Sequence, residues 1–300
     1  MFVFEPFKSR RENVRFASLK PNRVAVVKDE SLVDVSDAVG GSMLDLIARY
    51  DALKSVIAEA ATNRSAAPLD ARQLKAPVER PSKIWAAASN YRRGGTGLEN
   101  AAGRGATTTA SPEAIAEMAF LKPSSAVIGP EEQIVIPPDA ETIFPELELC
   151  VVVGKEARNV PSEQALDAVF GYTIMLDVTA RSQVQAQAGL IATRCVRKGY
   201  DTFAPCGPWI TTRDEIPDPQ NLTMRLWVNG ELKQSATTAG MINGVAELVS
   251  YLSRVSTLYP GDLITTGNPD APDFQDKLVP GDVLKAEIQG IGSMTLYVGR

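Results

Sequence analysis

A chain of 300 residues that is 44% hydrophobic and 22% charged can bury a sizeable core and exceeds the commonest single-domain length, so one large domain beside a smaller one is expected. The formal charge of -5 and a pI near 5.1 offer no global field for phosphate backbones or anionic lipid, and no apolar run approaches the ~20 residues of a membrane span. Three cysteines, Cys150, Cys195 and Cys206, show no C-x-x-C spacing, which argues against a disulfide scaffold or a structural zinc site and fits a cytoplasmic protein with neither nucleic-acid nor membrane partners. The sequence contains no histidine, so the commonest acid–base residue and a frequent metal ligand are excluded from any site.

In chain order, residues 22–36 (NRVAVVKDESLVDVS) read as two strands around a polar turn. Ser42 with Asp45 three residues on resembles a capping box. The helix it opens carries Met43, Leu46, Ile47, Tyr50, Leu53 and Ile57 as an apolar stripe to about residue 60. Residues 63–82 are polar with three prolines and read as a linker, separating a small α/β module (1–75) from a main domain (76–300). Residues 91–111, glycine- and threonine-rich, read as a lid-like loop. Helices are expected over 162–169, shortly after Asp177, and over 242–258. Asn229-Gly230 predicts a two-residue hairpin, and Pro-Gly-Asp at 260–262 and 280–282 predicts turns that each introduce a strand. The sum is a β-rich α+β protein.

Glu146-Leu147-Glu148 leads into the apolar run Leu149 to Val153. In a strand, residues two apart share a face, so both carboxylates would converge beside a hydrophobic wall. Asp177 closes a second apolar run, Tyr172 to Leu176. Taken alone, the glutamates also suit a solvated strand edge and the aspartate a helix N-cap. Together, three carboxylates in a histidine-free chain describe an oxygen-only site for Mg²⁺ or Mn²⁺, with Ca²⁺ also compatible. Lys198 is the cation placed beside it, able to stabilise an enolate oxygen or exchange a proton with it. Arg181, four residues after Asp177, would face the same cleft from a helix.

These residues and their surroundings resemble the fumarylacetoacetate hydrolase superfamily. The likeness runs from about Ile84 to Val298 through FLKPSSAVIGP, FPELELCVVVGKEARNV, GYTIMLDVTAR, KGYDTFAPCGPWITTRDEIPDP, LWVNGELKQ and YPGDLITTGNP. It implies a mixed β-sheet roll and a homodimer, with Glu146, Glu148 and Asp177 as metal ligands, Lys198 as the active-site lysine, and Arg181 as the neighbouring arginine. The pattern is also broken in three places. Where the family's hydrolases carry a histidine after Asn-Tyr, Asn90-Tyr91 is followed by Arg92, Arg93, Gly94 and Gly95. The Thr-Gly-Thr-Pro motif reads Thr266-Gly267-Asn268-Pro269, and the acid after the arginine is Ser182. Tyr91, Arg92 and Asn268 then stand as substrate-binding candidates beside Arg181.

A 2-oxo acid offers a carboxylate and a carbonyl oxygen as a planar chelate. A metal that polarises this carbonyl, with Lys198, favours an enolate shared by C–C cleavage, decarboxylation, hydration and isomerisation. The resemblance therefore implies a metal-dependent enzyme on a 2-oxo or 2,4-dioxo acid, in the manner of aromatic catabolism. Loss of the water-activating histidine leaves hydratase, isomerase or decarboxylase chemistry open beside hydrolysis. A weakened homologue that only binds a metal–acid complex is the alternative from another class.

Overall fold

The computed structural model describes residues 14–92, 111–140, 142–181, 194–269 and 277–300. The chain opens with an antiparallel meander of β1 (Arg15–Leu19), β2 (Arg23–Lys28) and β3 (Ser31–Asp34). After a single turn, α1 (Ser36–Val39), comes α2 (Met43–Asn63). Its capping box forms as the spacing predicts: the Asp45 N–H donates to Ser42 Oγ at 3.3 Å and the Ser42 N–H donates to Asp45 Oδ2 at 2.7 Å. Met43, Leu46, Ile47 and Ile57 are buried, with Tyr50 and Leu53 half-buried beside them. The polar stretch expected to be a linker packs instead. β4 (Ala67–Pro68) pairs with β3, and Leu74, Ala76 and Val78 are buried, their apolar area outweighing the prolines around them.

Then follow β5 (Ile84–Ala86), α3 (Pro112–Ala116), β6 (Phe120–Lys122), β7 (Val127–Ile128), β8 (Gln133–Val135), β9 (Thr142–Phe144) and β10 (Leu147–Val153). The next are α4 (Ser162–Ala165), β11 (Val169–Leu176), β12 (Thr179–Arg181), α5 (Arg194–Arg197) and β13 (Ala204–Thr212). The chain closes with β14 (Thr223–Val228), β15 (Glu231–Thr237), α6 (Val245–Val255), β16 (Leu263–Thr265), β17 (Val283–Ile288) and β18 (Gly292–Gly299). The large sheet runs β4-β3-β2-β1-β13-β11-β10-β16-β5-β6, with β7 also on β13; a second runs β15-β14-β17-β18-β8, and β9 pairs with β12. Parallel pairs, β16–β5 among them, interrupt an otherwise antiparallel ladder, so the sheet is mixed. The fold is the β-rich α+β architecture expected.

β10 shows why the centre of this sheet is dry. Its odd-numbered side chains, Leu147, Leu149, Val151 and Val153, pack into a core shared with β14, β17, β18 and α6. Cys150 and Val152 face the other way, into a core shared with α2 and β1. Both faces are covered, so a charged residue here sits in low dielectric.

The turn chemistry holds: Asn229 and Gly230 take φ of 52° and 82° between β14 and β15. Gly261 and Gly281 take φ of 86° and 99° immediately before β16 and β17. Helix lengths were over-read. The 162–169 helix stops at Ala165, tightens to a 3₁₀ turn and becomes β11 at Val169. The 242–258 helix is confined to Val245–Val255, with Gly244 at its N-cap, leaving Ile242 in the preceding loop and Val255 exposed. Directly after Asp177 the chain forms β12, paired with β9; the short helix expected after Asp177 otherwise falls on residues 182–193, outside the described residues. Most of the 91–111 loop, including Arg93, and also Ser182, lies outside the described residues.

Candidate functional site

β10 and β11 are antiparallel with Leu147 opposite Leu176 and Glu148 opposite Met175. That register fixes the site. Glu146 precedes the first rung and Asp177 follows it, joined by the Asp177 N–H to the Glu146 carbonyl at 2.8 Å. By strand alternation Glu146, Glu148 and Asp177 then share one side. Each contributes a carboxylate oxygen to a group lying within 4.8 Å of one another. Glu148 and Asp177 are each 1% exposed, and Glu146 is half-buried.

Lys198 follows α5 and reaches back into this group. Its Nζ donates to Glu146 Oε2 at 2.9 Å and to Asp177 Oδ2, and lies 5.5 Å from the Phe120 ring centroid. Thr179, on β12, donates its hydroxyl to Glu146 Oε1 at 2.9 Å. Glu148 Oε2 accepts the Gly267 N–H at 2.8 Å. Gly267, with φ of 88°, passes so near Asn90 that an added Cβ would come within 3.1 Å of the Asn90 Cβ. Asn90 in turn donates to the Thr266 and Asn243 carbonyls, both at 2.9 Å, tying the Asn90-Tyr91 segment to the loop that steadies Glu148.

Electrostatics separate the two buried acids. Burial, reinforced by the Asp177 charge, pushes Glu148 up to about 8. Asp177 is buried as deeply, but Lys122 and Lys198 outweigh that cost and hold it below the ordinary carboxylate range. Lys198 pays for burial too, yet Asp177, Glu146 and Glu148 keep it above the ordinary lysine range. A converging all-oxygen set, with one acid made costly to ionise by its neighbours, fits a hard divalent cation, whose charge would relieve that cost.

The structure thus brings together Glu146, Glu148, Asp177 and Lys198. Tyr91 lies at the Glu148 side, its hydroxyl driven above the ordinary range by burial with Glu148 adding. Arg181 is exposed on β12, two residues beyond Thr179, with its guanidinium 5.1 Å from the Phe144 ring centroid rather than on a helix. The Arg92 side chain is exposed while its N–H donates to the Gly240 carbonyl at 3.0 Å. The Asn268 amide sits 2.8 Å from the Gln234 amide nitrogen. Sequence reasoning missed Lys122 and Thr179. Lys122 donates to Asp177 Oδ1 at 2.7 Å and to the Lys198 carbonyl, and the signal for it was the alternation of β6, which buries Phe120 and Lys122 and exposes Leu121.

The chain is similar to known proteins. The family model described as fumarylacetoacetate (FAA) hydrolase C-terminal matches residues 83–298. A maleylpyruvate hydrolase of Aquipseudomonas alcaligenes is 35% identical over 297 residues, covering 95% of this chain and 99% of that protein. A mitochondrial oxaloacetate tautomerase of Bos taurus is 33% identical over 256 residues, covering 84% of this chain and 77% of its own. The crystal structure of maleylpyruvate hydrolase from Sphingobium sp. SYK-6 in complex with manganese (II) ion and pyruvate superposes with a TM-score of 0.79 at 33% identity, covering 95% of this chain and 98% of that one.

Proposed function

Because the chain belongs to the fumarylacetoacetate hydrolase family and is an enzyme of that family, we propose that it binds a divalent cation on Glu146, Glu148 and Asp177 and acts on a small 2-oxo or 2,4-dioxo acid, breaking or rearranging a bond beside the carbonyl. The convergence of three carboxylates around the Lys198 ammonium carries this reading. A bound cation supplies Lewis-acid polarisation of the substrate carbonyl. Lys198 stabilises the negative charge that develops on that oxygen, in a buried setting where a fixed ammonium counts for more than in water. Thr179 and the Gly267 N–H hold Glu146 and Glu148 in the orientation this requires. Tyr91, Arg92, Arg181 and Asn268 are the proposed contacts for the rest of the acid. Mn²⁺ is the first cation to test, since a relative was solved with it; Mg²⁺ and Ca²⁺ suit the same oxygens. A cytoplasmic homodimer completes the proposal, with the assembly checked by light scattering.

Full-length similarity to maleylpyruvate hydrolases favours hydrolysis of a 2,4-dioxo acid with a second carboxylate. The absence of histidine from the sequence favours a second reading, keto–enol tautomerisation, which needs a proton donor and acceptor but no activated water. Product-resolved NMR with Mn²⁺ and a panel of 2-oxo and 2,4-dioxo acids separates the two: hydrolysis yields two fragments, tautomerisation only accelerated keto–enol exchange. Lys198→Met should lower kcat about 10²- to 10³-fold in either case. No turnover of any panel member by a protein that binds Mn²⁺ and pyruvate would overturn the enzymatic reading.

A further inference from the structure

Lys122 is a lysine the fold has gone out of its way to bury. β6 is an edge strand of three residues, and its alternation leaves Leu121 42% exposed so that Lys122 can be 2% exposed. Lysine is rarely buried this completely unless paired, and stability alone would favour the opposite register, with leucine inside. Among the described residues the ammonium donates to Asp177 Oδ1 at 2.7 Å and to the main-chain carbonyl of Lys198. The other Asp177 oxygen accepts from the Lys198 side chain. Lys122 therefore joins three elements at one point: β6, the end of β11, and the turn after α5. Phe120, two residues earlier on the same face of β6, lies against the Lys198 ammonium, so one short strand touches both ends of Lys198.

We propose that Lys122 is a positioning residue for the cation site, fixing through one ammonium the orientation of Asp177 and the backbone from which Lys198 projects. Its side chain is 0% exposed and its ammonium is held by Asp177, so it acts through that carboxylate rather than as a catalytic residue. The proposal rests on the reading that Glu146, Glu148 and Asp177 hold a metal. Groups that orient metal ligands without touching the ion commonly contribute about 10- to 100-fold to metal affinity.

The test is Mn²⁺ titration by calorimetry of chelator-treated wild type, Lys122→Met and Lys122→Arg, with circular dichroism and thermal melting of each protein without added metal. The Met variant keeps length and loses both hydrogen bonds; its Mn²⁺ Kd should rise about 10- to 100-fold. The Arg variant keeps the charge but not the single-point geometry, and its Kd should lie between the two. A folded Met variant that melts earlier yet binds Mn²⁺ like wild type would make Lys122 a stabiliser of the fold only and overturn the proposal. Should the Met variant fail to fold, the Arg variant decides, and wild-type affinity there counts against it. Wild type that binds no Mn²⁺ overturns the metal reading itself, an outcome distinct from equal binding by wild type and variant.

Discussion

Glu148 sits in an electrostatic conflict. It is buried beside Asp177 and half-buried Glu146, and that environment raises it to about 8, against an ordinary glutamate near ~4.3. With no metal added, the folded chain holds a proton on Glu148 that the unfolded chain releases, so between roughly pH 4.3 and 8 the unfolded state binds fewer protons and this group lowers stability as pH rises. Asp177 has the opposite sign: its depressed value contributes stability above the ordinary aspartate range of about 3.9, lost as pH falls through its folded value. A cation competes with the Glu148 proton. Mn²⁺ affinity should therefore rise about tenfold per pH unit below 8 and level off above it, with about one proton released per ion near pH 6.5. Calorimetry in two buffers of different ionisation enthalpy measures that proton directly; a pH-independent Kd would show that Glu148 is ionised before the cation arrives. Glu148→Gln should flatten the same profile. At this scale the acids were legible because strand alternation needs only neighbouring residues. Lys122 was not, since a lone lysine in a three-residue strand reads as solvated until its register is known.

At the scale of elements, the site depends on β10 and β11 holding one register. A slip of one residue would turn Glu148 to the opposite face and put Leu147 or Leu149 in its place. Gly171 of β11 packs tightly against β13: a Cβ there would press into the Thr211 carbonyl and meet Ile210 Cγ2 at 2.9 Å. Gly171→Ala should cost about 1–3 kcal/mol, read from urea unfolding followed by tryptophan fluorescence, because neither backbone can yield inside a sheet buried on both faces. An unchanged midpoint would mean that β13 moves freely, against the pairing of Gly171 with Thr212. Strands and turns were readable where the cause is local, as at Asn229-Gly230 and the Pro-Gly-Asp turns. The short strand directly after Asp177 was not legible, because its extended form depends on β9, more than thirty residues earlier in the chain, and no local pattern announces that partner.

At the scale of the whole molecule, the N-terminal residues are less separable than their composition suggests. β1 pairs with β13 through Phe16 opposite Ile210 and Arg15 opposite Thr211, so the meander continues the sheet that carries the site. Phe16, Val24, Val26, Leu46 and Ile47 share a core with Val152, Phe170, Met175 and Ile210. Met175 is the rung opposite Glu148, which puts the site one strand position from that shared core. Removing residues 1–75 would strip Ile210 and Thr211 of β13 of their β1 partners and uncover the apolar face that α2 covers, two conditions that favour strand-to-strand aggregation. A chain beginning at residue 76 should therefore be recovered mainly as aggregate, and any soluble fraction should bind Mn²⁺ more weakly than the full chain. Size-exclusion chromatography with light scattering, followed by Mn²⁺ titration of the monodisperse peak, checks both statements. A well-folded truncated protein with full-length affinity would show instead that the catalytic part closes its own core, and that β1 to β4 with α2 are an addition the site does not need.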